Sequence, residues 1–126
     1  WRPRHGSDQT ALPHRRDTVT LESLDAVARA IRGMQVRGAP LIGATAACGS
    51  PSRCATAPTT LRSPRHSVLA ATRPTAVNLH WALDRLARLL GPLPTSERAT
   101  AAAREAQRII DEDANTNRRI GAHGWH

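Results

Sequence analysis

Apolar residues return at three- and four-residue steps in separate stretches of this chain, and Pro or Gly breaks each stretch from the next. That spacing predicts a mainly α fold. Ser23 is placed to cap a helix whose apolar face is Leu24, Val27, Ala28, Ile31 and Met34, with Asp25, Arg29 and Arg32 opposite. Residues 41–47 continue as a second helix after Pro40, and their small side chains (Gly43, Ala44, Ala46, Ala47) permit close packing. A third helix is expected over about 75–90, burying Val77, Trp81, Leu83 or Ala82, Leu86, and Leu89 or Leu90, and ending at Gly91-Pro92. Ser96 is placed to cap the last helix, with Ala99, Ala103, Ala106, Ile110 and Ala114 on its inner face. Residues 17–21 carry Thr18, Val19 and Thr20, which favour extended backbone, and predict one short strand. Residues 1–16 are polar and Pro-interrupted and read as irregular. The expectation is four helices with a minor strand region, one domain over residues 1–126.

Residues 48–67 do not fit this pattern. They hold three prolines, no acidic residue and no periodicity, so a regular helix is not expected there. A loop that long inside a small domain is itself unusual. Read one frame over in GC-rich codons, the stretch becomes an Ala- and Leu-rich helical pattern containing acids. A compensated pair of frameshifts is therefore expected, with a divergent loop as the alternative. The segment adds Pro and Arg where apolar cover is needed, which predicts a marginally stable, aggregation-prone chain.

The formal net charge is +8, and all eighteen basic residues are arginine. A basic chain raises the question of nucleic acid or anionic membrane partners. The arginines are scattered, however, Phe and Tyr are absent, and the three Trp lie far apart. No recognition helix, zinc finger or ribonucleoprotein sheet is legible, so no nucleic-acid partner is expected. Arg, Ala and Pro abundance without Lys, Phe or Tyr fits a GC-rich genome. Cys48 and Cys54 have no matching Cys/His pair, so neither a disulfide framework nor a metal site is expected. No apolar run reaches the roughly 18 residues of a membrane span, and the first residues lack a signal-peptide core. A cytoplasmic location without membrane partners is the expectation.

The most informative local feature is Val36-Arg37-Gly38-Ala39-Pro40 at a predicted loop-to-helix junction. A helix start presents free N–H groups and the positive end of the peptide dipoles, which suits an anion. Gly38 lets the ligand approach the main chain, and Arg37 adds a charge-assisted contact. Arg73 likewise precedes a Pro before a helix, so two such sites would clamp a sugar phosphate from two sides. From spacing alone, Gly38 and Pro40 serve equally as a linking turn with Arg37 solvated.

The run from Ile31 to Gly43 resembles the signature of S-methyl-5-thioribose-1-phosphate isomerases and their relatives, the regulatory subunits of translation initiation factor two-B. Three further blocks resemble the family in the same order. They are Asp8-Gln9-Thr10 with Leu12-Pro13-His14; Arg73-Pro74-Thr75-Ala76-Val77-Asn78-Leu79 followed by Trp81-Ala82-Leu83; and Asp111-Glu112-Asp113 with Asn117, Ile120-Gly121 and His123-Gly124. The second of these favours the isomerases over the initiation-factor subunits. The resemblance implies an aldose 1-phosphate to ketose 1-phosphate isomerase of methionine salvage, homodimeric, using no cofactor, metal or nucleotide. It implies substrate binding by Arg37, Gly38, Ala39 and Arg73. The family's catalytic Cys and general-acid Asp belong to a C-terminal Rossmann-like α/β domain, expected to be absent here, so no catalytic residue is assigned. The chain alone is therefore expected to be inactive. Neither Cys48 nor Cys54 lies in a matching motif, and Asp111-Glu112-Asp113 reads as the polar face of the last helix. A ribose-bisphosphate isomerase and a non-catalytic initiation-factor-like subunit are the alternatives.

Overall fold

The computed structural model describes residues 5–49 and 64–124. The elements run β1 (His5–Asp8), β2 (Asp17–Thr20), α1 (Leu24–Arg32), α2 (Ala39–Gly49), α3 (Pro64–Ala70), α4 (Val77–Leu90) and α5 (Thr95–Gly124). The mainly α class with a minor strand region holds.

Helix α2 organises the others. Residues 42–47 are all buried, so this helix is apolar and small all round, as a central helix must be. One side of it, Ile42 and Ala46, joins Leu21, Val27, Ile31, Val36, Leu69, Leu79 and Leu83 in a first cluster. The other side, Ala44 and Ala47, joins Ala82, Leu86, Leu90, Ala102, Ala106 and Ile109 in a second. Small side chains let the backbones come close. A Cβ placed on Gly43 would stand 2.7 Å from the Asn78 carbonyl oxygen and 3.4 Å from the Ala82 Cβ. Gly43 therefore packs on the first turns of α4, and Ala47 shares a cluster with Leu86 and Leu90 farther along. The two helices run side by side in the same sense, with their starts at one end.

Several expectations need correction. Residues 1–16 are not wholly irregular: β1 pairs antiparallel with β2, Asp8 opposite Asp17 and Gly6 opposite Val19. Val19 packs on the first cluster, which is what the pairing contributes to the core.

Helix α1 is capped by Ser23, whose hydroxyl accepts from the Ala26 N–H, but it ends at Arg32. Met34 lies beyond it at φ 62 and is exposed rather than packed. The first Leu24-to-Ile31 turns keep their face; Gly33 stops the continuation.

In α4 the buried residues are Leu79, Ala82, Leu83, Leu86, Ala87 and Leu90. Val77 is 77% exposed and Trp81 44%. The Trp81 ring instead covers the Arg85 guanidinium, 5.2 Å from its centroid. In α5, which starts at Thr95 so that Ser96 lies inside it and does not cap it, the inner face is Ala102, Glu105, Ala106 and Ile109; of the predicted stripe only Ala106 is buried, and Ile110 faces outward. An alanine-rich helix offers several equivalent stripes, and the ion pair chooses among them. Arg85 Nε donates to the buried Glu105 at 2.5 Å, while its Nη1 and Nη2 meet Glu112 at 2.6 and 2.8 Å. That pairing holds the Glu112 carboxyl below the usual range.

Residues 48–67 are not free of helix at their ends. Helix α2 runs through Gly49, and Pro64 opens α3, a position where its missing N–H is no loss. With α3, five helices stand among the described residues where four were expected. The loop and frameshift expectations concern chiefly residues 50–63, which lie outside the described residues.

Replacing Gly43→Ala gains at most about 1 kcal/mol of helix propensity. It also drives a methyl group into a backbone carbonyl that cannot rotate away, an overpacking cost of roughly 1–3 kcal/mol. The expected outcome is net destabilisation in urea unfolding; an unchanged or raised midpoint would contradict the packing described.

Candidate anion-binding site

The segment between α1 and α2 turns on two residues in the left-handed region, Met34 at φ 62 and Gly38 at φ 89. Glycine takes that conformation freely, whereas a side chain there is disfavoured by roughly 1–2 kcal/mol. The Gly38 carbonyl accepts from the Ile42 N–H, so α2 begins immediately after it. Ala39 and Leu41 then fall in the first turn, where N–H groups lack intrahelical acceptors, and Pro40 has none to satisfy. Ala39, Pro40 and Leu41 are exposed while the turns behind them are buried. The helix thus opens to solvent from a low-dielectric body.

Helix α4 begins in a similar way. Its N-cap, Ala76, offers no side-chain hydrogen bond, and its carbonyl accepts from Leu79 and His80, leaving the Val77 and Asn78 N–H groups at the mouth. The preceding loop is tied down by His80, whose Nε2 donates to the Pro74 carbonyl at 3.0 Å. Neither α2 nor α4 has an acidic residue in its first turn, whereas α1 has Asp25 and α5 has Glu97. Two helix starts lacking their own negative charge therefore lie against each other, because Gly43 sits one turn into α2 and touches Asn78.

The sequence-predicted residues flank these two starts. Arg37 precedes α2 by two positions and is exposed. Its Nε donates to the Met34 carbonyl at 3.1 Å and its Nη2 to the Gln9 carbonyl at 2.5 Å. Gly38 and Ala39 form the mouth of α2 itself. Arg73 precedes α4 by four positions and is half-buried. The fold thus brings both arginine-bearing segments to the same end of the α2–α4 pair. Among the described residues no group of three His, Cys, Asp or Glu side chains is placed to hold a metal ion. No described helix is long and apolar enough to cross a membrane.

Sequence reasoning missed what holds Arg37. Asp8 Oδ1 accepts from the Thr10 N–H at 2.9 Å and its hydroxyl at 2.6 Å, and Oδ2 accepts from Gln35 Nε2 at 2.8 Å. The Gln9 N–H donates to the Gln35 carbonyl at 3.0 Å. The signal was present as an Asp two residues before a Thr, which favours a side-chain-to-backbone turn. Its partner lies 27 residues away, beyond the reach of local spacing.

The sequence pattern of the Initiation factor 2 subunit family matches residues 20–126, and the chain belongs to that family. It is 56% identical over 118 residues to the methylthioribose-1-phosphate isomerase of Cereibacter sphaeroides, covering 93% of this chain and 32% of that one. Among solved structures it is similar to the 5-methylthioribose 1-phosphate isomerase of Pyrococcus horikoshii OT3, with a TM-score of 0.84, 33% identity, and 97% of this chain and 37% of that chain covered. It is also similar to the translation initiation factor eIF-2B subunit delta of A. fulgidus, with a TM-score of 0.74, 30% identity, and 87% and 35% covered. The chain spans about a third of the length of these relatives.

Asp8 gives a direct check of the loop geometry. The hydrogen bonds from the Thr10 hydroxyl and N–H, then those from Gln35 and the Arg37 charge, hold its carboxyl below the ordinary 3.8. A depressed folded value means that the bonds are fully present above the ordinary value and are lost as pH falls through the lower one. The Asp8 carboxyl carbon is expected to titrate below 3.8 by NMR; a midpoint at or above 3.8 would contradict these contacts.

Proposed function

We propose that this chain forms the phosphate-binding helical part of an S-methyl-5-thioribose-1-phosphate isomerase, acting in methionine salvage in the cytoplasm. Arg37, the Gly38–Ala39 main chain and Arg73 hold the substrate phosphate. The observation that supports this best is the contact of Gly43 with Asn78, which sets two open helix starts side by side. Each start supplies N–H donors and a partial positive charge, and neither is neutralised by an acid of its own. Arginine on both sides adds fixed charge in a planar fork suited to phosphate oxygens.

The chemistry of the reaction fits a binding role for these groups. Converting an aldose 1-phosphate to a ketose 1-phosphate requires ring opening and movement of hydrogen from carbon 2 to carbon 1. Arginine stays protonated throughout the working pH range, so it does not accept that hydrogen as a base. What Arg37 and Arg73 do is fix the phosphate, and with it carbon 1, in one place. The hydrogen transfer falls, in this proposal, to the Cys and Asp of the longer isomerases' second domain. The greater identity to the Cereibacter isomerase than to the initiation-factor subunit supports an isomerase over a regulatory subunit.

Calorimetric titration of the purified chain with S-methyl-5-thioribose 1-phosphate tests the reading. Losing one charge-assisted contact costs roughly 1.5–3 kcal/mol, so Arg37→Ala and Arg73→Ala are each expected to weaken binding by about ten- to a hundredfold. No turnover is expected from this chain alone. Binding that ignores both substitutions, or product formed by the pure chain, would contradict the proposal.

A further inference from the structure

The guanidinium of Arg37 is gripped along one edge only. Nε and Nη2, the two nitrogens of the side-on edge, donate to the carbonyls of Met34 and Gln9. Guanidinium has five N–H donors, so both Nη1 hydrogens and the outer Nη2 hydrogen are left at the far end. An arginine held in this way faces a ligand end-on, and its side-chain entropy is already spent before the ligand arrives.

One of the two gripping carbonyls comes from a distant part of the chain. Gln9 is 28 residues from Arg37 and belongs to the turn after β1. Its carbonyl meets Nη2 only while that turn stays against residues 35–37. Three contacts keep it there: Gln9 N–H to the Gln35 carbonyl at 3.0 Å, Gln9 Nε2 to the Arg37 carbonyl at 3.4 Å, and Gln35 Nε2 to Asp8 Oδ2 at 2.8 Å. Asp8 is the only charged side chain of the three contacts, and it closes the turn at the same time through both donors of Thr10. Hydrogen bonds to a charged group are the stronger kind.

We propose that Asp8 is a positioning residue for the phosphate-binding arginine: through Gln35 and Thr10 it holds the Gln9 carbonyl against the side-on edge of Arg37, so that the end-on edge faces the phosphate. This rests on the reading of Arg37 as a phosphate contact. Asp8 itself does not touch the ligand. A negative charge in reach of an anion site would repel the ligand, and here it is occupied by donors of its own chain.

The test uses the whole chain and two readouts. The first is hydrogen exchange at the Arg37 Nη2–H that donates to the Gln9 carbonyl, followed by low-temperature NMR, which needs no ligand. It is expected to be slowed at least about tenfold relative to an exposed arginine such as Arg104, as for a hydrogen-bonded donor. Asp8→Ala removes that protection. Gln35→Glu does the same, because two carboxylates then face each other. Adding Asp8→Asn to Gln35→Glu restores it, since the amide and carboxylate have exchanged sides and Thr10 still finds an oxygen. Unchanged Arg37 exchange in Asp8→Ala, or no recovery in the paired variant, overturns the proposal. The paired variant also keeps the test decisive if Asp8→Ala does not fold.

The second readout is affinity for S-methyl-5-thioribose 1-phosphate. It is expected to fall about tenfold in Asp8→Ala and in Gln35→Glu, and to recover in the pair, a change of about 1.4 kcal/mol. If exchange follows this pattern while affinity ignores both Asp8→Ala and Arg37→Ala, the phosphate reading has failed and the positioning role fails with it. If Arg37→Ala weakens binding and Asp8→Ala does not, only the positioning role is overturned.

Discussion

A methyl group has no room at Gly43, because the backbone of Asn78 already occupies the space. That close approach fixes the separation of α2 and α4, and both clusters of the core are arranged around it. Nine of the twenty buried apolar residues among those described are alanine, so the interior is built on short distances rather than on large side chains. The same contact determines where the two helix starts lie. Moving them apart would loosen the core and separate the polar mouths together.

Helices α1, α2, α4 and α5 and the β2 strand follow from periodicity, propensity and capping, whereas α3 does not. Ser23, Pro40 and Gly91 stand at or beside element ends, where their backbone chemistry predicts. The candidate site was legible for a related reason. Arg37, Gly38 and Arg73 sit before helix starts, and a helix start has one electrostatic character wherever it occurs. What spacing left open was whether the two starts meet, and a glycine-sized gap in α2 decides that.

Other features depended on partners far along the chain. Trp81 looks like a core residue by type, yet it lies over Arg85, whose pairing with Glu105 also draws an acid into the inner face of α5. Beyond Ile110 no described residue of α5 is buried, so the apolar rhythm there had nothing to predict. The strand β1 gives no pattern of its own and exists through pairing with β2. The grip on Arg37 joins residues 8–10 to residues 34–37, a link that local sequence does not encode.

A crystal structure of the chain with S-methyl-5-thioribose 1-phosphate shows whether the two helix starts form one phosphate site. The phosphate group is expected between the starts of α2 and α4, within hydrogen-bonding reach of the main chain at Gly38 and Ala39, of the end-on edge of Arg37 and of Arg73. A phosphate bound elsewhere on the molecule, or an Arg73 turned away from the mouth of α2 in the complex, would contradict this placement.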